Sequence, residues 1–203
     1  MDVRGECQMN ALGHLGWFSL YNWWQESFDA DEKIRFKELY RPLGGTFDQL
    51  ISGPGGYPSK HVVWFLTGVA SFAQNKTDKI IAIKFLEKAE QLSDGCTIVD
   101  KHFMYHELIE SHYKLREDNT HYELAKLYCR KQISISTLVR KAFIKQFGNN
   151  NLRHLGFQQL SVVLEKEGEF KNAIGVAEQA LTEGWKGDWM KKLEKLKKKS
   201  HGT

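Results

Sequence analysis

The residues best equipped for chemistry in this chain lie in "KHFMYHELIESHYK", residues 101–114. His102 and His106 stand four apart, which places them on one face of a helix, and Glu110 continues that face. Two imidazoles and a carboxylate so placed can hold a divalent ion. Phe103 and Tyr105 mark the same segment as a packing helix, and the H-E-x-x-H order of a zinc peptidase is absent. The expectation is surface or partly buried histidines, with no metal and no cofactor. Nucleophilic chemistry has less support, because no Ser lies in G-x-S-x-G and none of Cys7, Cys96 and Cys129 has activating neighbours. Glu107 with Glu110, and Glu165 with Glu167, have the spacing of solvated helix faces rather than of an acid–base pair. "SGPGGYPS", residues 52–59, lacks the G-K-[ST] ending of a phosphate-binding loop, and no β-branched strand precedes it. No catalytic constellation emerges, so the chain is expected not to be an enzyme.

The elements that carry these residues are read as helices. With 203 residues the chain is long enough to bury a sizeable core, and 41% hydrophobic with 27% charged residues is ordinary for a soluble protein. Three Pro suit long helices better than a loop-rich β fold. Three scattered Cys without C-x-x-C argue for a reducing compartment. The polar start "MDVRGECQMN" has no apolar signal region, and no apolar run approaches the roughly 18 residues of a membrane span. A cytoplasmic protein with no membrane association is the expectation. From Trp185 onward seven Lys face Asp188 and Glu194, about +5, which leaves about −1 for the body of a chain whose net charge is +4. Only the tail is cationic.

The aromatic run "GWFSLYNWWQESFD" places Trp17, Leu20, Tyr21, Trp24 and Phe28 at the spacing of one helical face, with Trp23 on its flank. The spacing predicts a packing helix over 16–29, with Trp23 left over for a partner. A second helix begins at Asp29, with Glu32 completing a capping box, and stops before Pro42. The Gly/Pro loop that follows is the expected boundary between an N-terminal segment, 1–58, and a helical region, 59–203. Within that region helix pairs are expected at 59–92, 98–133 and 151–184. Thr120 and Glu123 cap the second pair's return helix, an extra helix lies at 137–147, and an amphipathic helix starts at Trp189. About ten helices and no strand are expected.

The last pair resembles a tetratricopeptide repeat. "EGEFKNAIGVAEQAL" sets Ala173, Ala177 and Ala180 where that family packs helices closely, Phe170 stands where an aromatic is usual, and Leu160, Ser161 and Leu164 fit the first helix. Ala70, Ala82 and Ala89 mark a degenerate second copy; Tyr113 and Ala125 mark a third, with Gln132 in the place of a small residue. Ala82, Ala125 and Ala173 lie 43 and 48 residues apart, wider than the usual period of about 34, and no Pro closes any copy. The resemblance covers roughly residues 60–199. It implies an all-α, irregular solenoid of antiparallel helix pairs, closed by the Lys-rich helix acting as a cap with a polar outer face. The ending "EGWKGDWMKKLEKLKKK" is also similar to tails of small bacterial helical-repeat proteins.

By the same resemblance, a protein or peptide partner is bound along the first helices of the pairs. The matching positions are Trp64, Thr67, Ser71 and Gln74; Met104, Glu107, Ser111 and Lys114; and Leu155, Gln158, Val162 and Glu165. The Lys/Asn carboxylate clamp of chaperone-adaptor repeats is absent, since Gln158 and Val162 occupy its places. The alternatives are a nucleic-acid-associated protein using the Lys-rich helix, and a metal-dependent enzyme built on His102 and His106.

Overall fold

Helical periodicity combined with glycine stops dominates the architecture. A computed structural model describes residues 13–53, 61–148 and 152–200. Among them are twelve α-helices and no strand, and no helix is long and apolar enough to cross a membrane. Cys7, the polar start and the Gly/Pro loop from Pro54 on lie outside the described residues. The chain divides into two compact units, 1–95 and 96–203, so the pair expected at 59–92 falls with the aromatic N-terminal helices.

In the first unit the aromatic run is two short helices rather than one: α1, Gly13–Trp17, and α2, Tyr21–Ser27. Ser19 breaks them apart with φ 58, a left-handed conformation that the continuous apolar period conceals. Leu15, Leu20, Trp24 and Phe28 are buried all the same. The third helix, α3 at Ala30–Leu39, starts on the expected capping box: Glu32 donates its N–H to Asp29, and Asp29 donates its own to Glu32. After α4, Phe47–Ile51, the pair α5, Val62–Ala70, and α6, Lys79–Gln91, packs together.

Phe85 of α6 joins the aromatic core, 4.9 Å from both Phe28 and Phe36, and Trp24 packs tilted on Phe28 at 4.4 Å. Trp23 is not left over. It meets Phe28 and Phe85 edge-on, and Lys88 lies over its ring. Two ion pairs bind α3 to the later helices. Arg35 donates twice to the buried Asp78 carboxylate, at 2.8 and 3.0 Å, and Lys84 donates to Glu32 at 2.6 Å. Trp24, 1% exposed, is the largest side chain of this core. Trp24→Ala should cost the first unit about 3–5 kcal/mol, measured by denaturant unfolding.

The second unit begins with α7, Ile98–Lys114, and α8, Asn119–Ser134, paired across a four-residue turn. The cap of α8 is Asp118, whose carboxylate accepts from the N–H groups of Thr120 and His121. This corrects the capping box expected at Thr120, because the helix starts two residues earlier and the stronger acceptor takes the donors. The extra helix is α9, Ser136–Phe147, closed by Gly148 at φ 70.

The third pair is α10, Leu155–Lys166, and α11, Phe170–Thr182; α12, Trp189–Ser200, packs on α11. Ala173, Ala177 and Ala180 of α11 are fully buried, between helices that can approach only where side chains are short. Ala173→Leu should therefore lower the melting temperature, at a cost of about 1–3 kcal/mol from overpacking. A thermal melt unchanged from the native chain would contradict this packing.

Candidate functional site

The α10/α12 pair of the second unit leaves a groove of about 690 Å³. Its α10 side carries Gln158, Ser161 and Val162, and its α12 side carries Asp188, Trp189, Glu194 and the stems of Lys191, Lys192, Lys195 and Lys198. Local structure fixes both walls. His154 caps α10, its Nδ1 accepting from the Phe157 N–H at 3.3 Å. Ahead of α12, Trp185 is buried and donates its indole N–H to Glu183 at 2.9 Å. Trp189 in turn donates its indole N–H to the Trp185 carbonyl at 2.9 Å. A Cβ on Gly187 would lie 2.9 Å from the Trp189 Nε1, so the loop closes this tightly only with glycine there. Val162 and Trp189 are thus held as an apolar floor, and lysine stems form one wall.

Glu165 anchors α12 to α10. Its carboxylate accepts from Lys192 at 2.6 Å, Lys199 at 2.8 Å and Lys195 at 3.0 Å, and its side chain is only 9% exposed. Hydrogen bonds from Lys192 and Lys199 hold its pKa down at about 2. Lys197 pairs with Glu178 of α11 at 3.5 Å. Lys191 and Lys198 make no ion pair among the described residues.

Of the twelve positions named from the sequence, Gln158 and Val162 line this groove. Glu165 lies beside it but is engaged by three lysines. Leu155 is half-buried at the start of α10. Met104 and Ser111 are fully buried, so no partner reaches them; their face of α7 is turned into the unit. Glu107 is half-buried, and Lys114 pairs with Glu110 at 2.9 Å. In the first unit Thr67 is buried, Ser71 is half-buried and bonded to the Gly68 carbonyl, and Trp64 and Gln74 are exposed. The sequence reading missed the lysine wall as part of the groove. The signal was available in the spacing of Lys191, Lys195 and Lys198, which fall on one helical stripe.

The histidine pair separates. His102 is fully buried, stacked parallel to Trp185 at 4° and packed edge-on to His154 at 5.1 Å. Desolvation, with His154 and His106 nearby, pushes its pKa down to about 3, and desolvation takes His154 to about 4. Both rings are neutral core groups at ordinary pH. The cluster of donor atoms that includes His106 is completed by Glu107 and Glu110 rather than by His102. The donor atoms of His106, Glu107 and Glu110 lie within 4.8 Å of one another, but a cation there would compete with Lys114 for Glu110. Cys129 is buried, and desolvation raises its thiol to about 12, which removes it as a nucleophile.

Because the folded-state pKa of Glu165 lies below its ordinary value, its contribution to stability is complete above about pH 5. It is lost as pH falls through the window between the ordinary value and about 2. Denaturation midpoints of the native chain should fall across that window, and Glu165→Gln should be less stable at neutral pH with a flatter acid limb.

Comparison of the chain with protein-family models, with curated proteins and with solved structures finds no match.

Proposed function

We propose that this chain is a non-enzymatic, tetratricopeptide-like helical-repeat module of the cytoplasm that binds a segment of another protein in the α10/α12 groove. One observation carries the reading: a groove of about 690 Å³ with an apolar floor at Val162 and Trp189 and polar groups at its margins, from Gln158 to the α12 lysines. Binding sites for protein segments combine these parts, apolar area for affinity and a few polar groups for register. The short side chains of α11 support the repeat reading, since close helix packing at Ala173, Ala177 and Ala180 is what that resemblance requires.

The nucleic-acid alternative has weaker support. Single-strand binders present exposed aromatic faces for base stacking, whereas Trp189 is 4% exposed and the α12 lysines at 192, 195 and 199 are drawn onto Glu165. A metal-dependent enzyme built on His102 and His106 has weaker support, since His102 packs against Trp185 and His154 while the donor cluster is His106, Glu107 and Glu110.

A randomised peptide display selection on the folded chain tests the proposal. Binders should be enriched, and Gln158→Ala should weaken them while leaving the melting temperature unchanged, because Gln158 is half-buried at the groove and makes no side-chain bond that holds the fold. No enrichment, or binders indifferent to Gln158→Ala and Val162→Asp alike, would remove the groove as the binding site.

A further inference from the structure

We propose that His112 and His121 form an acid-sensitive latch, which closes the turn end of the α7/α8 hairpin and releases it when the pair takes up protons. His112 lies in the last turn of α7 and His121 in the first turn of α8, on either side of the turn 115–118. Their Nδ1 atoms face each other at 2.9 Å, and the ring centres lie 5.1 Å apart. His112 is 1% exposed and stacks on Tyr128 of α8 at 5.4 Å, whereas His121 is half-buried.

Two neutral imidazoles bond in this way only if one of them donates. The direction follows from what His112 can leave unmet. Were His112 the acceptor, its proton would sit on Nε2, which is buried without a partner among the described residues. Buried N–H groups are seldom left orphaned, acceptor lone pairs somewhat more often. His112 therefore donates its Nδ1–H and His121 accepts. His121 then carries its own proton on Nε2, so a further proton must enter at Nδ1, the atom that accepts. Two N–H groups would face each other across 2.9 Å. A proton on His112 fares no better, because it enters at the buried Nε2 and leaves a charge there without a partner. Either route breaks the contact.

Around the pair, the charge that bears on His112 is that of His121 itself. Arg116 of the turn donates to the Tyr113 carbonyl, and Asp118, within charge reach of His121, accepts from the N–H groups of Thr120 and His121. Lys131 of α8 lies over the Tyr128 ring, and Lys166 of α10 reaches the Tyr113 hydroxyl. Arg140 of α9 lies beside Gly184, next to the Trp185 that stacks on His102 at the opposite end of α7. Burial, with His121 adding to it, takes the His112 pKa down to about 4. Because this folded value lies below the ordinary one, the closed latch is most stable above about pH 6.5 and loses stability as pH falls toward about 4. Release is bounded, since Lys126 further along α8 pairs with Glu167 of α10 at 2.8 Å.

Hydrogen exchange of the whole chain, corrected for the chemical rate, tests the latch. Opening of residues 112–122 should rise about tenfold or more between about pH 7.5 and about pH 5, while residues 170–182 stay protected. His112→Phe keeps a ring to stack on Tyr128 and removes the titrating group, so its hairpin should open equally at both pH values. Acid opening that persists in His112→Phe, or none in the native chain, would overturn the proposal. Imidazole nitrogen NMR of the native chain reads the pair without a core substitution. It should show His112 protonated on Nδ1 at neutral pH. In His121→Gln the same ring should take its second proton at a higher pH, because the facing charge is gone. A proton on Nε2 at neutral pH, or a His112 titration unmoved by His121→Gln, would equally end the reading of these rings as a latch.

Discussion

The second unit depends on how closely α8 and the start of α10 can approach, and that approach is set by Gly156 and Gln132. A Cβ on Gly156 would lie 2.9 Å from the Cys129 carbonyl and 2.9 Å from the Gln132 Oε1, so only glycine admits this contact. With the side chain absent, the Gly156 N–H donates to Gln132 Oε1 at 2.6 Å, while Gln132 Nε2 donates to the His102 carbonyl at 3.0 Å. One fully buried amide therefore joins three helices. It satisfies an N–H in the first turn of α10, which has no partner inside its own helix. An amide in such a place is stabilising only while both ends are bonded, because a stranded buried polar group costs about 1–3 kcal/mol. The position of α10 is thus tightly specified, and the wall of the groove with it.

The same contact explains the buried imidazoles. His154 sits between Gln132's neighbourhood and Trp185, capping α10 with one nitrogen, and His102 fills the space beside it. Both rings are held neutral by desolvation. Both rings pack on aromatic neighbours, yet both nitrogens of His102 and the Nε2 of His154 are buried without a hydrogen-bond partner among the described residues. The i, i+4 rule places two residues on one face of a helix and leaves open which way that face looks. Here Met104, Leu108 and Ser111 are buried on α7 together with His102, while His106 and Glu110 stay half-buried toward the margin.

That distinction separates what was legible in the sequence from what was not. Helix type and extent were legible where period and caps agreed, as at Asp29 with Glu32 and in the alanine stripe of α11. The break at Ser19 was not, because Leu15, Leu20, Trp24 and Phe28 keep an apolar rhythm through a residue at φ 58. Within the candidate site, Gln158 and Val162 were found by matching positions on α10. Met104 and Ser111 were misplaced because matching positions to a resemblance does not fix which face of α7 turns inward: Gln132, where the resemblance calls for a small residue, bonds across helices instead. The lysine wall was read only as a solvated cap. Sequence showed an amphipathic helix, but which lysines meet a carboxylate depends on where Glu165 stands in three dimensions.

The Lys-rich helix therefore does two jobs with one stripe of charge. Its apolar face, Trp189, Leu193 and Leu196, is buried and closes the open end of the α10/α11 pair. Closing that end brings a row of ammonium groups over α10, where Glu165 at 9% exposure would otherwise be a nearly buried, uncompensated charge. Three lysines answer one carboxylate, so the contact leaves an excess of positive charge fixed on rigid structure. A capping helix with a neutral polar face would have closed the unit equally well. Lys191 and Lys198 answer no packing requirement, and with Asp188 and Glu194 they make a mixed-charge margin along the cavity that α12 creates by docking there.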